Sequence, residues 1–190
     1  MQTYILLLRG INVGGKNIVS MTELKSCLEA LGFSGITTYI ASGNVIVQSE
    51  KQPYDIKTII ETALPKTFKL DSELIKVLVL THKQLADVIT RKPHGFGDQP
   101  DKYHSDAIFL MDVEAEEAMT AFNPREGIDT VWPGNGVIYS QRLSVLRTKS
   151  RLNQAMSSPL YKSMTIRSWN TTIKLMYLVN AIATQKELQE

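Results

Sequence analysis

The first apolar run, Tyr4-Ile5-Leu6-Leu7-Leu8, shows no alternation with polar residues. That is the pattern of a central strand covered on both faces, and it predicts a strand over residues 3–9. The period then changes: Met21, Leu24, Leu28 and Leu31 recur at helical spacing as far as Gly32, behind Ser20 and Glu23 in a capping-box arrangement. Two short β-rich runs, Ile36 to Ile40 and Val45 to Val47, flank the turn residues Ser42-Gly43-Asn44. After Pro53, residues 54–64 place Ile56, Ile59, Ile60, Ala63 and Leu64 on one helical face, and Leu74 to Leu80 returns to strand character. The order strand, helix, strand, strand, helix, strand is the split βαβ arrangement of the ferredoxin-like fold, with the first and third strands central.

A helix over Lys83 to Thr90 leads into Arg91 to Pro100, whose prolines and glycines predict a loop. The order then starts again. His104 to Met111 reads as a strand, Glu114 to Phe122 as a short helix and Ile128 to Trp132 as a strand, with a turn at Pro133-Gly134-Asn135-Gly136 before Val137 to Tyr139. A helix is expected over Arg151 to Met156, a short strand over Thr165 to Arg167 and a final helix over Thr172 to Leu188, with Leu175, Leu178, Val179 and Ile182 on one face. The pattern predicts an α+β protein of two ferredoxin-like units with antiparallel-dominated sheets and a C-terminal helix. One unit spans residues 1–90, a linker or loop spans 91–103, and the second unit with the terminal helix spans 104–190.

Composition narrows the function classes. The 190 residues carry 21 Lys and Arg against 19 Asp and Glu, a formal net charge of +2. So even a balance gives no bulk attraction to nucleic acid or to a membrane surface, and any anion site must be local. The single cysteine, Cys27, forms no intrachain disulfide and builds no cysteine-based zinc site, which suits a reducing, cytoplasmic setting. The opening apolar run stops at Arg9 and Gly10, far short of a membrane span.

The least ordinary stretch is Arg9-Gly10-Ile11-Asn12-Val13-Gly14-Gly15-Lys16-Asn17. Gly14 and Gly15 offer backbone donors and Arg9 and Lys16 counter-charges, so the loop is a candidate anion site; the competing reading is a structural turn in which Asn12 and Asn17 bond the loop's own backbone. Gly10 to Lys16 matches the start of a phosphate-binding G-x-x-x-x-G-K loop, but Asn17 replaces the magnesium-binding Ser or Thr and the helix cap falls later, at Ser20. Tyr39 and Asn44 become ligand contacts if the first and third strands are neighbours. Arg167 can clamp a phosphate or carboxylate and Trp169 can cover a ligand, or anchor a core. His94 and His104, with Asp98, Asp101 and Asp106, supply imidazole and carboxylate donors at no defined metal spacing. No metal site, catalytic set or cofactor follows.

Three stretches carry a family resemblance: Leu7 to Asn17, Thr38 to Val45, and Thr165-Ile166-Arg167-Ser168-Trp169-Asn170-Thr171. They closely resemble the signatures of the bacterial family called domain of unknown function 1697, over essentially the whole chain. The resemblance implies a pair of ferredoxin-like units and brings no catalytic residues. Ser168 departs from it, standing where the family usually carries asparagine. Three function classes stay open: binding of an anionic small molecule or nucleotide near the glycine-rich loop, single-strand nucleic-acid binding through Tyr39, Tyr139 and Trp169, and a protein-interaction or structural module.

Overall fold

The computed structural model describes residues 1–71 and 75–187. Two compact units emerge, Met1–Leu85 together with Leu175–Glu190, and Ala86–Lys174. In the first, β1 (Gln2–Arg9), α1 (Met21–Ala30), β2 (Ser34–Tyr39), β3 (Asn44–Ser49), α2 (Pro53–Phe68) and β4 (Lys76–Thr81) follow one another, and the sheet runs β2-β3-β1-β4 with every pair antiparallel. The first and third strands are central, as the element order implies. Tyr4, Leu6 and Leu8 of β1 join Leu24 and Leu28 of α1 and Ile56, Ile60 and Leu64 of α2 in one core. Ile5 and Leu7 point to the opposite face and are fully buried too, which is why the run shows no alternation.

Local chemistry sets the ends of the helices. The Ser20 hydroxyl accepts from the Glu23 N–H at 3.4 Å, so the predicted cap starts α1, and Gly32 at φ +86° lets the chain leave it. Helix α2 starts on Pro53, a favoured first-turn residue, and runs one turn beyond the apolar stripe. It closes where the N–H groups of Lys69 and Leu70 reach the Pro65 carbonyl. Leu74, at the start of the predicted fourth strand, and Leu188, at the end of the last predicted helix, lie outside the described residues.

Helix α3 (His82–Thr90) carries the chain into the second unit. There β5 (Tyr103–Leu110), α4 (Ala115–Met119), β6 (Asp129–Gly134), β7 (Val137–Leu143) and β8 (Met164–Ser168) form an antiparallel sheet in the order β6-β7-β5-β8. Its first and third strands are again central. Strand β6 continues through Pro133 and Gly134, residues read from sequence as turn, because an edge strand tolerates a proline; the turn shrinks to Asn135-Gly136. Where the first unit has α2, the second has three 3₁₀ turns, Ser144–Lys149, Leu152–Ser157 and Pro159–Ser163. The α-helix expected over Arg151 to Met156 is therefore 3₁₀: Leu152 and Ala155, three apart, are its buried residues, the spacing that eclipses side chains in a 3₁₀ turn.

Helix α5 (Trp169–Glu187) begins three residues before the expected Thr172. The Ser168 hydroxyl accepts from the Thr171 N–H at 3.2 Å, an N-terminal cap. Serine and asparagine are both strong caps, so either residue at this position would start the helix. On one face of the second sheet Phe96 is fully buried, with its ring edge-to-face against Trp132, Tyr139 and Trp169 at centroid distances of 5.9, 5.1 and 5.0 Å. The Tyr139 hydroxyl donates to the Val88 carbonyl at 2.6 Å, and burial pushes its pKa up to about 12. The turn-rich stretch 91–103 is thereby pinned to the sheet through Phe96.

Candidate functional site

The glycine-rich elbow spends its polar side chains on backbone. Asn12 and Asn17 both sit in the left-handed region, at φ +53° and +49°, which asparagine tolerates. The Asn12 amide nitrogen donates to the carbonyls of Val19 and Ala41 at 2.9 and 2.8 Å, and its oxygen accepts from the Val19 N–H at 2.8 Å. Asn17 donates to the Gly10 carbonyl at 2.8 Å and accepts from the Asp71 N–H at 3.1 Å. Between them, Val13 to Lys16 closes a tight turn through Lys16 N–H to Val13 O at 3.0 Å, with Gly14 and Gly15 at φ +58° and +74°. Positive φ at both central positions is the demand of a type I′ turn.

Gly14, Gly15 and Lys16 are exposed at the tip of that turn, and Arg9 is half-buried at the end of β1. Four residues separate Lys16 from the first residue of α1, and β1 pairs antiparallel on both sides, so the setting of a nucleotide-binding loop is absent. Asn44 is fully buried, donating to the Tyr39 carbonyl at 3.1 Å and to the Ser42 hydroxyl at 2.9 Å, while Tyr39 ends β2 half-buried. The Gly43 carbonyl accepts from Leu8 N–H at 2.8 Å, and a Cβ on Gly43 would stand 2.8 Å from the Leu8 Cβ. The elbow and the β2–β3 turn are thus knitted together, with the side chains of Asn12 and Asn17 serving backbone groups.

Arg167 and Trp169 belong to the second unit. The Arg167 Nη1 donates to the Thr165 hydroxyl at 2.9 Å and the Ile166 carbonyl at 2.8 Å, and burial lowers the guanidinium pKa to about 10. Trp169 sits in the aromatic cluster around Phe96, and Tyr139 with it. Both rings are buried, at 7% and 1% exposure, which removes two of the three aromatics considered for base stacking.

The opposite face of the second sheet holds a different constellation. Alternation along β5 puts His104, Asp106 and Ile108 on that face, and the register sets Arg142 of β7 opposite His104, with Asp129 of β6 opposite Arg142. His104, Arg142 and Asp129 form one row across three strands, with Asp106 two residues along β5 from His104. His104, Asp106 and Arg142 open onto a cavity of about 220 Å³. Its polar end carries His104, Asp106 and Arg142, Asn153 and Tyr161 add polar groups to the lining, and Ile108, Phe122, Met156 and Met164 contribute to its apolar wall. Met156 and Asn153 come from the second 3₁₀ turn, Phe122 from the segment after α4.

The electrostatics of this end are uneven. His104 Nε2 lies 3.3 Å from Asp106 Oδ1, and an Arg142 nitrogen lies 3.8 Å from Asp106 Oδ2. Burial pushes the Asp106 carboxyl above the ordinary aspartate range, against the pull of His104 and Arg142. Arg142 Nε is buried and has no hydrogen-bond partner among the described residues. Asp129 behaves in the opposite way. Burial works against its charge too, but the N–H groups of Arg151 and Arg125, at 2.8 and 3.0 Å from Oδ2, with Ser150 and Arg142, hold its carboxyl below the ordinary range. It pins the start of the second 3₁₀ turn to the sheet edge.

Arg142 carries no local signal of a site, and in sequence His104 and Asp106 are imidazole and carboxylate donors at no defined metal spacing. The His-x-Asp spacing within a strand was the available signal, since alternate residues share a face. Arg142 joins them only through cross-strand register, which no local pattern carries.

Comparison with known proteins adds the following. The solved structure described as that of conserved bacterial protein SP0830 from Streptococcus pneumoniae superposes with a TM-score of 0.75 at 24% sequence identity, covering 93% of this chain and 97% of that one; at that identity the likeness is one of fold. No curated protein matches. No helix among the described residues is long and apolar enough to cross a membrane. The family model described as "Protein of unknown function (DUF1697)" matches residues 1–139, including the elbow and most of the second sheet, and the chain belongs to that family.

Proposed function

We propose that the protein binds a small organic anion with an apolar body in the cavity of its second unit, as a cytoplasmic protein built from two ferredoxin-like units. The observation that carries this reading is Arg142, a cation at 12% side-chain exposure whose nearest carboxylate stands 3.8 Å away and whose Nε has no hydrogen-bond partner among the described residues. A buried guanidinium so weakly paired retains donor capacity for a carboxylate or phosphate, and low local dielectric strengthens the bond it makes. Ile108, Phe122, Met156 and Met164 supply the apolar wall that buries the rest of the ligand.

Calorimetric titration tests it with a pair of probes of the same shape. Phenylacetate should bind and phenylacetamide should bind at least tenfold more weakly, with Arg142→Met removing the difference. Equal affinity for the acid and the amide, or an Arg142→Met protein that folds and binds phenylacetate unchanged, would refute the reading.

A further inference from the structure

Resting on that reading, we infer that the cavity is a proton-transfer site, with His104 as the catalytic base acting on a 2-oxo acid whose carboxylate Arg142 holds. His104 Nε2 lies 3.3 Å from Asp106 Oδ1, so in the neutral ring the proton sits on Nε2, facing the carboxylate, and Nδ1 is the acceptor end. Asp106, at 14% side-chain exposure, orients the ring, while His104, at 43%, stays accessible at the cavity edge. A base beside a buried carboxylate and an anion-holding cation is the set of groups that general acid–base catalysis uses. Charged groups near His104 include Asp106 on its own strand, Arg142 across the ladder and Asp129 beyond it in the same row, with Arg147 of the first 3₁₀ turn acting on Asp106.

One reaction is complete with these groups and needs no second reactant: keto–enol tautomerisation. His104 Nδ1 takes a proton from the carbon next to the keto group. The C–H electron pair becomes the C=C bond, and the carbonyl π pair moves onto oxygen, next to the positive charge of Arg142. The imidazolium returns the proton to that oxygen to give the enol, and the reverse sequence restores the ketone, with no atom gained or lost. The apolar wall suits an aryl or branched alkyl substituent on the reacting carbon.

Phenylpyruvate is the probe. Its binding is followed by calorimetry, its enolisation by ultraviolet absorbance, and exchange of its benzylic protons by NMR in D₂O. The protein should bind it and accelerate both processes above the buffer rate, and His104→Asn should cut kcat by about 100-fold or more with the Kd within twofold, the range of an acid–base contribution. Asp106→Asn, a change in a positioning residue, should lower kcat and alter its pH profile while leaving KM within twofold. Binding without acceleration, or His104→Asn with full activity, overturns the inference and leaves the anion-binding reading standing. Failure to bind phenylpyruvate, together with failure to bind phenylacetate, overturns both.

Discussion

Replacing Asn12 by alanine isolates what the elbow contributes. Three side-chain hydrogen bonds disappear, to the Val19 and Ala41 carbonyls and from the Val19 N–H. At about 1 kcal/mol net each, these amount to about 3 kcal/mol. Alanine must also occupy φ +53°, where asparagine is tolerated and a plain Cβ costs about 1 kcal/mol more. The loss is therefore about 4 kcal/mol, or roughly 8–16 °C in Tm at about 2–4 °C per kcal/mol. Urea unfolding and scanning calorimetry of the full chain read it directly. Asn12→Gly separates the two contributions: it removes the same bonds without the backbone strain and should recover about 1 kcal/mol relative to alanine. Asn12→Asp keeps the shape but turns an acceptor toward two carbonyls, and should destabilise at least as much as alanine. An Asn12→Ala protein within 1 kcal/mol of the parent would show that the network does not hold the two loops.

The remaining expectations concern the second unit. Gly97→Ala would place a Cβ 2.4 Å from the Trp169 ring at φ +75°, and should cost about 2–4 kcal/mol, with a changed near-UV circular dichroism signal from the aromatic cluster. Because the folded pKa of Asp106 is raised, the native state binds more protons than the unfolded one above the ordinary aspartate range, and stability falls there as pH rises. Asp106→Asn should therefore raise Tm at pH 7 and lose that gain near pH 3. Asp129 has the reverse sign: its contribution is present above the ordinary aspartate range and lost as pH falls through its depressed folded pKa, so Asp129→Asn should lower Tm at pH 7 and converge on the parent in acid. Ser168→Asn should leave Tm within about 1 °C, while Ser168→Ala should cost about 1 kcal/mol.

Strand order was legible because burial writes itself into residue type. Tyr4 to Leu8 and the Ser20 cap placed β1 and α1 within a residue or two, and the alternation of helical and strand periods implied sheets with central first and third strands. The helix read over Arg151 to Met156 failed for the same reason that others succeeded: it carries too few apolar residues for the 3.6-residue period to be told from 3.0. The chemistry was harder to see. Asn12 and Asn17 announce themselves locally, since glycine and asparagine are the residues of left-handed backbone, and the sequence offered both their turn role and an anion site. His104, Arg142 and Asp129 are separated by 38 positions end to end in numbering yet stand in one row, because antiparallel register brings them together. Trp169 and Tyr139, apt for stacking by composition, are anchors because Phe96, from a stretch rich in glycine and proline, fits between them.

The three 3₁₀ turns between β7 and β8 have a dynamic consequence. A continuous helix such as α2 opens only with its whole row of backbone bonds and its buried Ile56, Ile60 and Leu64. A chain of short turns holding Leu152 and Ala155 as its buried residues opens in pieces, each at a small fraction of the global unfolding free energy. Amide hydrogens from Ser144 to Ser163 should exchange orders of magnitude faster than those of β5 and β7, and slow when a ligand fills the cavity. The sheet supplies a fixed floor of charge, and the turns supply a wall that breathes on a faster timescale than the fold itself.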